Sequence, residues 1–136
     1  MVDVEGSCLC GSVKYSFRGE IVVFQYCHCS RCKKYTGSAH ASNMIGDPTG
    51  FQWVEGEEYV SRYEMPEARH FATSFCKRCG SSLPWITKSK KAVVIPAGTL
   101  DSDPEIKPTQ SIYYKNRAPW YVNVHELIKY DALPEK

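Results

Sequence analysis

Seven cysteines fall into three short clusters: Cys8-Leu9-Cys10, Cys27-His28-Cys29-Ser30-Arg31-Cys32 and Cys76-Lys77-Arg78-Cys79. An odd count leaves one thiol over if the rest form disulfides. The third cluster continues into Gly80, giving the Cys-x-x-Cys-Gly of a zinc knuckle. Two thiolates at that spacing can grip one ion, and the glycine lets the chain turn tightly around sulfur. Taken alone, Cys76 and Cys79 are also open to a redox reading. Three clusters in so short a chain favour metal. A structural zinc takes four protein ligands in a tetrahedron. Two pairs remote in sequence supply them best, because such a site cross-links the fold. Cys8, Cys10, Cys76 and Cys79 are therefore the candidate structural ligands. Cys27, Cys29 and Cys32 remain, and three ligands leave one tetrahedral position open, as in a catalytic zinc.

His28 offers an alternative fourth ligand that would close the second site. If residues 27 to 29 are extended, Cys27 and Cys29 share one face and His28 points away, toward the surface or an outer shell. An ion held by three thiolates carries net negative charge and acidifies water weakly. It is soft and suits a sulfur ligand, and a coordinated thiol is deprotonated outright. The chemistry expected is therefore on a substrate thiol. Arg31, Lys33 and Lys34 lie beside this cluster, either to attract a carboxylate-bearing thiol such as glutathione or as solvated surface charge. His40, His70 and His125 are each isolated. Any of them is a candidate general base, and His40 is the foremost because it follows the Thr36-Gly37 turn after the cluster. Trp85 and Trp120 are candidate pocket walls or core aromatics. Asp101-Ser102-Asp103 before Pro104 reads as a polar turn.

These clusters need a scaffold, and the chain of 136 residues is long enough for one domain, 1–136, with a core over about 6–133. Its net charge of +2 gives no broad basic face, so nucleic acid is not an expected partner. No apolar run approaches the ~20 residues of a membrane-spanning helix. Met1-Val2-Asp3-Val4-Glu5 carries acids where a secretion signal carries bases, so a cytoplasmic, reducing compartment is expected. Val13, Tyr15 and Phe17 alternate with polar residues as in a half-buried strand. Ile21 to Tyr26 is a β-branched and aromatic run. Phe51 to Val54 and Tyr59 to Tyr63 read as strands joined by a turn at residues 55–58. Phe71 to Phe75, Leu83 to Thr87 and Ala92 to Ile95 add three short strands. Ser30 to Tyr35 predicts one helical turn, and Ala118-Pro119-Trp120-Tyr121 the start of another. Val124 to Leu133 reads as a weak helix or an irregular tail. The fold class is mainly β: a small zinc-binding domain of many short antiparallel strands with a few helical turns.

The order Gly6-Ser7-Cys8-Leu9-Cys10-Gly11-Ser12-Val13, then the 27–32 cluster with Thr36-Gly37, then Phe75-Cys76-Lys77-Arg78-Cys79-Gly80, resembles the glutathione-dependent formaldehyde-activating (GFA) family, which includes the centromere protein V domain. The likeness continues through Pro96 to Asp101 and Arg117 to Tyr121 and covers about Gly6 to Leu133. It implies a β-tent type of fold and two zinc ions per chain. Cys8, Cys10, Cys76 and Cys79 would hold a structural ion, and Cys27, Cys29 and Cys32 a labile catalytic one. It implies a carbon–sulfur lyase-type activity on a thiol adduct of formaldehyde or a related small aldehyde. The other class of function is a non-catalytic, zinc-stabilised binding module, which needs a histidine or acid to close the second site. The sequence departs from the family at Lys33, where arginine is usual, and at Ser111, where many members show histidine. Val124-His125-Glu126-Leu127 also replaces an acidic-x-Leu-Pro ending.

Overall fold

The computed structural model describes residues 1–134. Eleven short strands and one helix follow in the order β1 (Val2–Ser7), β2 (Lys14–Gly19), β3 (Ile21–Cys27), α1 (Ser30–Thr36), β4 (Ala41–Gly46), β5 (Phe51–Glu55), β6 (Val60–Glu64), β7 (Ala72–Cys76), β8 (Ser82–Leu83), β9 (Trp85–Ile86), β10 (Val93–Pro96) and β11 (Gln110–Ile112). They build three sheets, ordered β1-β2-β5, β11-β3-β4-β10-β9 and β6-β7-β8. The fold is mainly β, as expected. Pairing is antiparallel except where β11 lies parallel to β3.

Alternation builds the core. Val2 and Val4 of β1 and Tyr15 and Phe17 of β2 turn inward while Asp3 and Glu5 face water. They meet Met44, Val93 and Ile95 from one face of the central sheet. The other face of that sheet is left for Cys27, Asn43, Ile45 and Val94, which line an open cavity. A strand's two-residue period thus gives β3, β4 and β10 one structural face and one functional face.

β1, β4 and β11 have no counterpart in the sequence reading, and four segments that it did read differ from it. Leu83 to Thr87 is two strands rather than one. Pro84 lacks the N–H that a ladder needs, and the chain changes sheet there. The strands on either side of residues 55–58 form, but β5 pairs with β2 and β6 with β7, so they lie in different sheets. Ala118 to Tyr121 is one turn, closed by the Tyr121 amide donating to the Ala118 carbonyl at 3.0 Å, and no α-helix follows. Val124 to Leu133 contains a short 3-10 turn at Val124–Glu126 and is otherwise irregular. Val124, Leu127, Ile128, Tyr130 and Leu133 stay exposed there, so no burial offsets the cost of nucleating a helix.

Candidate functional site

The first cysteine site joins two hairpins. Cys8 and Cys10 sit in the turn from β1 to β2, while Cys76 ends β7 and Cys79 sits in the turn to β8. Each turn is closed by a glycine in the left-handed region. The Gly11 amide donates to the Cys8 carbonyl at 3.0 Å and the Gly80 amide to the Cys76 carbonyl at 2.8 Å, both glycines at φ 78°. All four sulfurs lie within 4.8 Å of one another. A tetrahedral zinc with ligands at about 2.3 Å separates its sulfurs by about 3.8 Å. Cys8 and Cys10 stand 3.6 Å apart and Cys10 and Cys76 3.9 Å. Bonded sulfurs lie about 2.05 Å apart, so these are free thiols at metal spacing.

The surroundings of Cys10 and Cys79 favour thiolates. The Val13 amide donates to the Cys8 sulfur at 3.3 Å, and the Ser81 hydroxyl lies 3.2 Å from that of Cys79. The hydroxyl and N–H of Ser81 pull the Cys79 thiol down to about 5, and Ser12 lowers Cys10 likewise. Burial pushes Cys76 up. The redox pair suggested by Cys76 and Cys79 is thus part of a larger site with Cys8 and Cys10.

The second site is local. Cys27 ends β3. Cys29 is the N-cap of α1, its sulfur accepting from the Cys32 amide at 3.4 Å, and Cys32 lies in the first turn. The three sulfurs lie within 4.8 Å of one another. The Cys32 thiol holds Cys27 down to about 6 and is itself pushed up by sharing its proton with that thiolate. No histidine or carboxylate joins the three among the described residues. Three soft thiol donors grouped in this way suit zinc, as the four do.

A cavity of about 450 Å³ opens on these sulfurs. Gln25 and Cys27 of β3, Asn43 and Ile45 of β4, Val94 of β10, Trp85 of β9 and Ile112 of β11 form its floor and wall, with Phe71, Tyr113 and Asn116 from loops. Among the described residues Arg31 is the one basic side chain on its lining, its guanidinium 5.9 Å from the centre of the Phe71 ring. Lys33 points elsewhere and donates to the Asn116 carbonyl at 2.7 Å. Lys34 lines a neighbouring groove with Tyr35 and Tyr63. Tyr113 holds φ 53°, a costly conformation for a residue with a β-carbon, beside the cavity.

The histidines lie elsewhere. His28 turns to the opposite face from Cys27 and Cys29, as the alternation predicts, but it is fully buried rather than at the surface. Its ring packs edge-on to Tyr114 at 5.3 Å and Tyr121 at 5.0 Å, and both ring nitrogens lack hydrogen-bond partners. Burial holds it below the usual histidine range, with His40, Arg117 and Lys33 adding to the effect. His40 stacks on Tyr26 at 4.2 Å on that same side of β3, away from the cavity. Sequence proximity to the cluster misplaces it, because Tyr26 and Cys27 face opposite ways. His70 bonds Ser89 at 2.9 Å and His125 lies in the exposed 3-10 turn; neither lines the cavity. Trp85 is both core and cavity wall, whereas Trp120 is 67% exposed. Asp101 accepts from the Ser7 hydroxyl at 2.6 Å and Asp103 from the Glu105 amide at 2.7 Å, the polar turn expected there. Gln25, Asn43, Phe71 and Tyr113 carry no sequence motif; only strand pairing brings them to the cysteines.

A small β fold with one four-cysteine and one three-cysteine cluster, the latter on a cavity, defines the class of protein. The family described as "Glutathione-dependent formaldehyde-activating enzyme" matches residues 3–116, and the chain belongs to that family. A solved structure of a Rhodobacter sphaeroides protein shares the fold with a TM-score of 0.60 at 20% identity, covering 79% of this chain and 98% of that one. No curated protein matches the chain. Among the described residues no helix is long and apolar enough to cross a membrane.

Proposed function

We propose that the chain is a zinc-dependent carbon–sulfur lyase-type enzyme acting on a glutathione, or other thiol, adduct of formaldehyde or a related small aldehyde. One observation carries this reading: three clustered thiols with no fourth protein ligand among the described residues, set in the wall of a cavity of about 450 Å³. Cys8, Cys10, Cys76 and Cys79 would hold a structural zinc, and Cys27, Cys29 and Cys32 a catalytic one. Zinc in the three-thiol site supplies a position at which a substrate thiol is held ionised.

The chain's own residues do the rest. Arg31 at the cavity edge offers charge to a carboxylate of the thiol compound. Phe71, Trp85, Ile45 and Val94 give the cavity an apolar wall that sheds water from the reacting carbon. The binding-module alternative needs a closing histidine or acid, and the burial of His28 on the opposite face counts against it. Seven unpaired thiols support a reducing, cytoplasmic setting. The partners on this reading are small molecules, with no nucleic acid and no membrane.

Two-dimensional exchange NMR of glutathione with ¹³C-formaldehyde tests this. The wild type should speed interconversion of formaldehyde and its glutathione adduct, and Cys29→Ser should not. Equal rates in both proteins would sink the proposal.

A further inference from the structure

We infer that the side-chain amides of Gln25 and Asn43 form a neutral cradle for the aldehyde oxygen. The inference rests on the carbon–sulfur reading above and adds the residues that bind the reacting oxygen.

Gln25 and Asn43 are directly opposed on β3 and β4, so their side chains share one face of the sheet. The next pair along that face is Cys27 with Ala41. Both amides line the cavity that holds the three thiols. Gln25 is only 8% exposed, which is unusual for an amide without full hydrogen bonding. Its Oε1 accepts from Gln110 Nε2 at 2.7 Å, and Gln110 lies beside it on β11. That bond occupies the acceptor and leaves the Gln25 NH₂ as the group offered to the cavity. The Asn43 amide makes no side-chain hydrogen bond among the described residues, so its donors are also available. Two strand residues span about 7 Å, the reach of a substrate sulfur, its carbon, its oxygen and one hydrogen bond.

The chemistry needs such donors. The substrate thiolate gives an electron pair to the aldehyde carbon and a C–S bond forms. The C=O π pair moves onto oxygen, and the resulting alkoxide takes up the proton that the thiol lost on ionising. Thiol plus aldehyde gives hydroxyalkyl thioether, with nothing oxidised or reduced, and the reverse step retraces the same path. Charge develops on the oxygen in both directions. Among the described residues, Arg31 is the only ionic side chain on the cavity lining besides the thiols, and no histidine or carboxylate lies there. Preorganised amide donors are what remain to stabilise that charge.

Two measurements test the cradle. Gln25→Glu and Asn43→Asp keep size and replace donors by acceptors. Each should lower kcat by roughly 10²-fold or more, leave the KM for glutathione within about twofold, and retain zinc content and melting temperature. Separately, the side-chain NH₂ signals of Gln25 and Asn43 in the ¹⁵N spectrum of the wild type should shift when formaldehyde is added to the glutathione-bound protein. Glutathione alone should leave them in place. Failure of the wild type to exchange the adduct refutes the proposed function. Exchange by the wild type with unchanged kcat in both variants, or amide signals indifferent to formaldehyde, refutes the cradle alone.

Discussion

Removing one ligand from the four-cysteine site should cost far more stability than removing one from the three-cysteine site. The reason is topological. The first site ties the β1–β2 turn to the β7–β8 turn, and the sulfurs of Cys10 and Cys76 meet across 66 residues of chain. By chain-entropy arithmetic, a cross-link of that length is worth about 4 kcal/mol. The second site lies wholly between Cys27 and Cys32, where the same arithmetic gives about 2 kcal/mol. Even that is reduced, because so local a set of thiols binds metal in the unfolded chain too. At about 4 °C per kcal/mol for a domain of this size, chelation should lower the wild-type melting temperature by about 15 °C. The assay is thermal melting by circular dichroism with and without a strong zinc chelator. Cys29→Ser should keep nearly the whole chelator-induced fall. Cys76→Ser, already lacking the cross-link, should show only a few degrees of it. Using the chelator difference within each protein cancels the separate cost of burying a serine hydroxyl where Cys76 is fully buried. A chelator effect that persists in Cys76→Ser, or that vanishes in Cys29→Ser, would refute this reasoning.

Three further outcomes follow from particular side chains. Tyr15 is 1% exposed, and burial pushes its phenol up to about 12 from an ordinary 10.0. The native state then holds that proton more tightly than the unfolded state, so stability is full below pH 10 and falls as pH rises toward 12, by about 3 kcal/mol. In urea melts at pH 9 and 11.5, Tyr15→Phe should lose most of this decline, and an identical decline in the variant would show another cause. Gly6→Ala would place a methyl 2.3 Å from the Tyr15 ring, so it should cost about 2 kcal/mol in urea unfolding; a neutral result would mean the ring moves freely. Arg31→Ala should raise the KM for glutathione about tenfold with little change in kcat, and the gap should narrow in high salt. A salt-independent effect would point to lost packing against Phe71 instead.

The cysteine sites were legible in the sequence because their ligands come in local pairs at metal spacing. Tight turns with Gly11 and Gly80 shape each half of the four-cysteine site, while the meeting of the halves is long-range. The wall around the open site was not legible. β4 contains Ser42, Asn43 and Gly46, which weaken any strand pattern, and β11 is only Gln110–Ile112. Which strand lies beside β3 is a long-range choice, so nothing local marks Gln25 and Asn43 as neighbours. His40 illustrates the converse: near in sequence to Cys32, it sits behind the sheet because alternate residues of β3 face opposite ways. His28 was read correctly as turned from the thiols, but its burial depends on Tyr114 and Tyr121, far along the chain.

The division of seven thiols into four and three is the claim on which the rest stands, and an elemental zinc count per folded chain tests it most directly. The account predicts two ions in the wild type and one in Cys29→Ser, with the remaining ion bound by four sulfurs in its X-ray absorption spectrum. A single ion in both proteins after incubation with excess zinc, or a Cys29→Ser protein that keeps two, would contradict it.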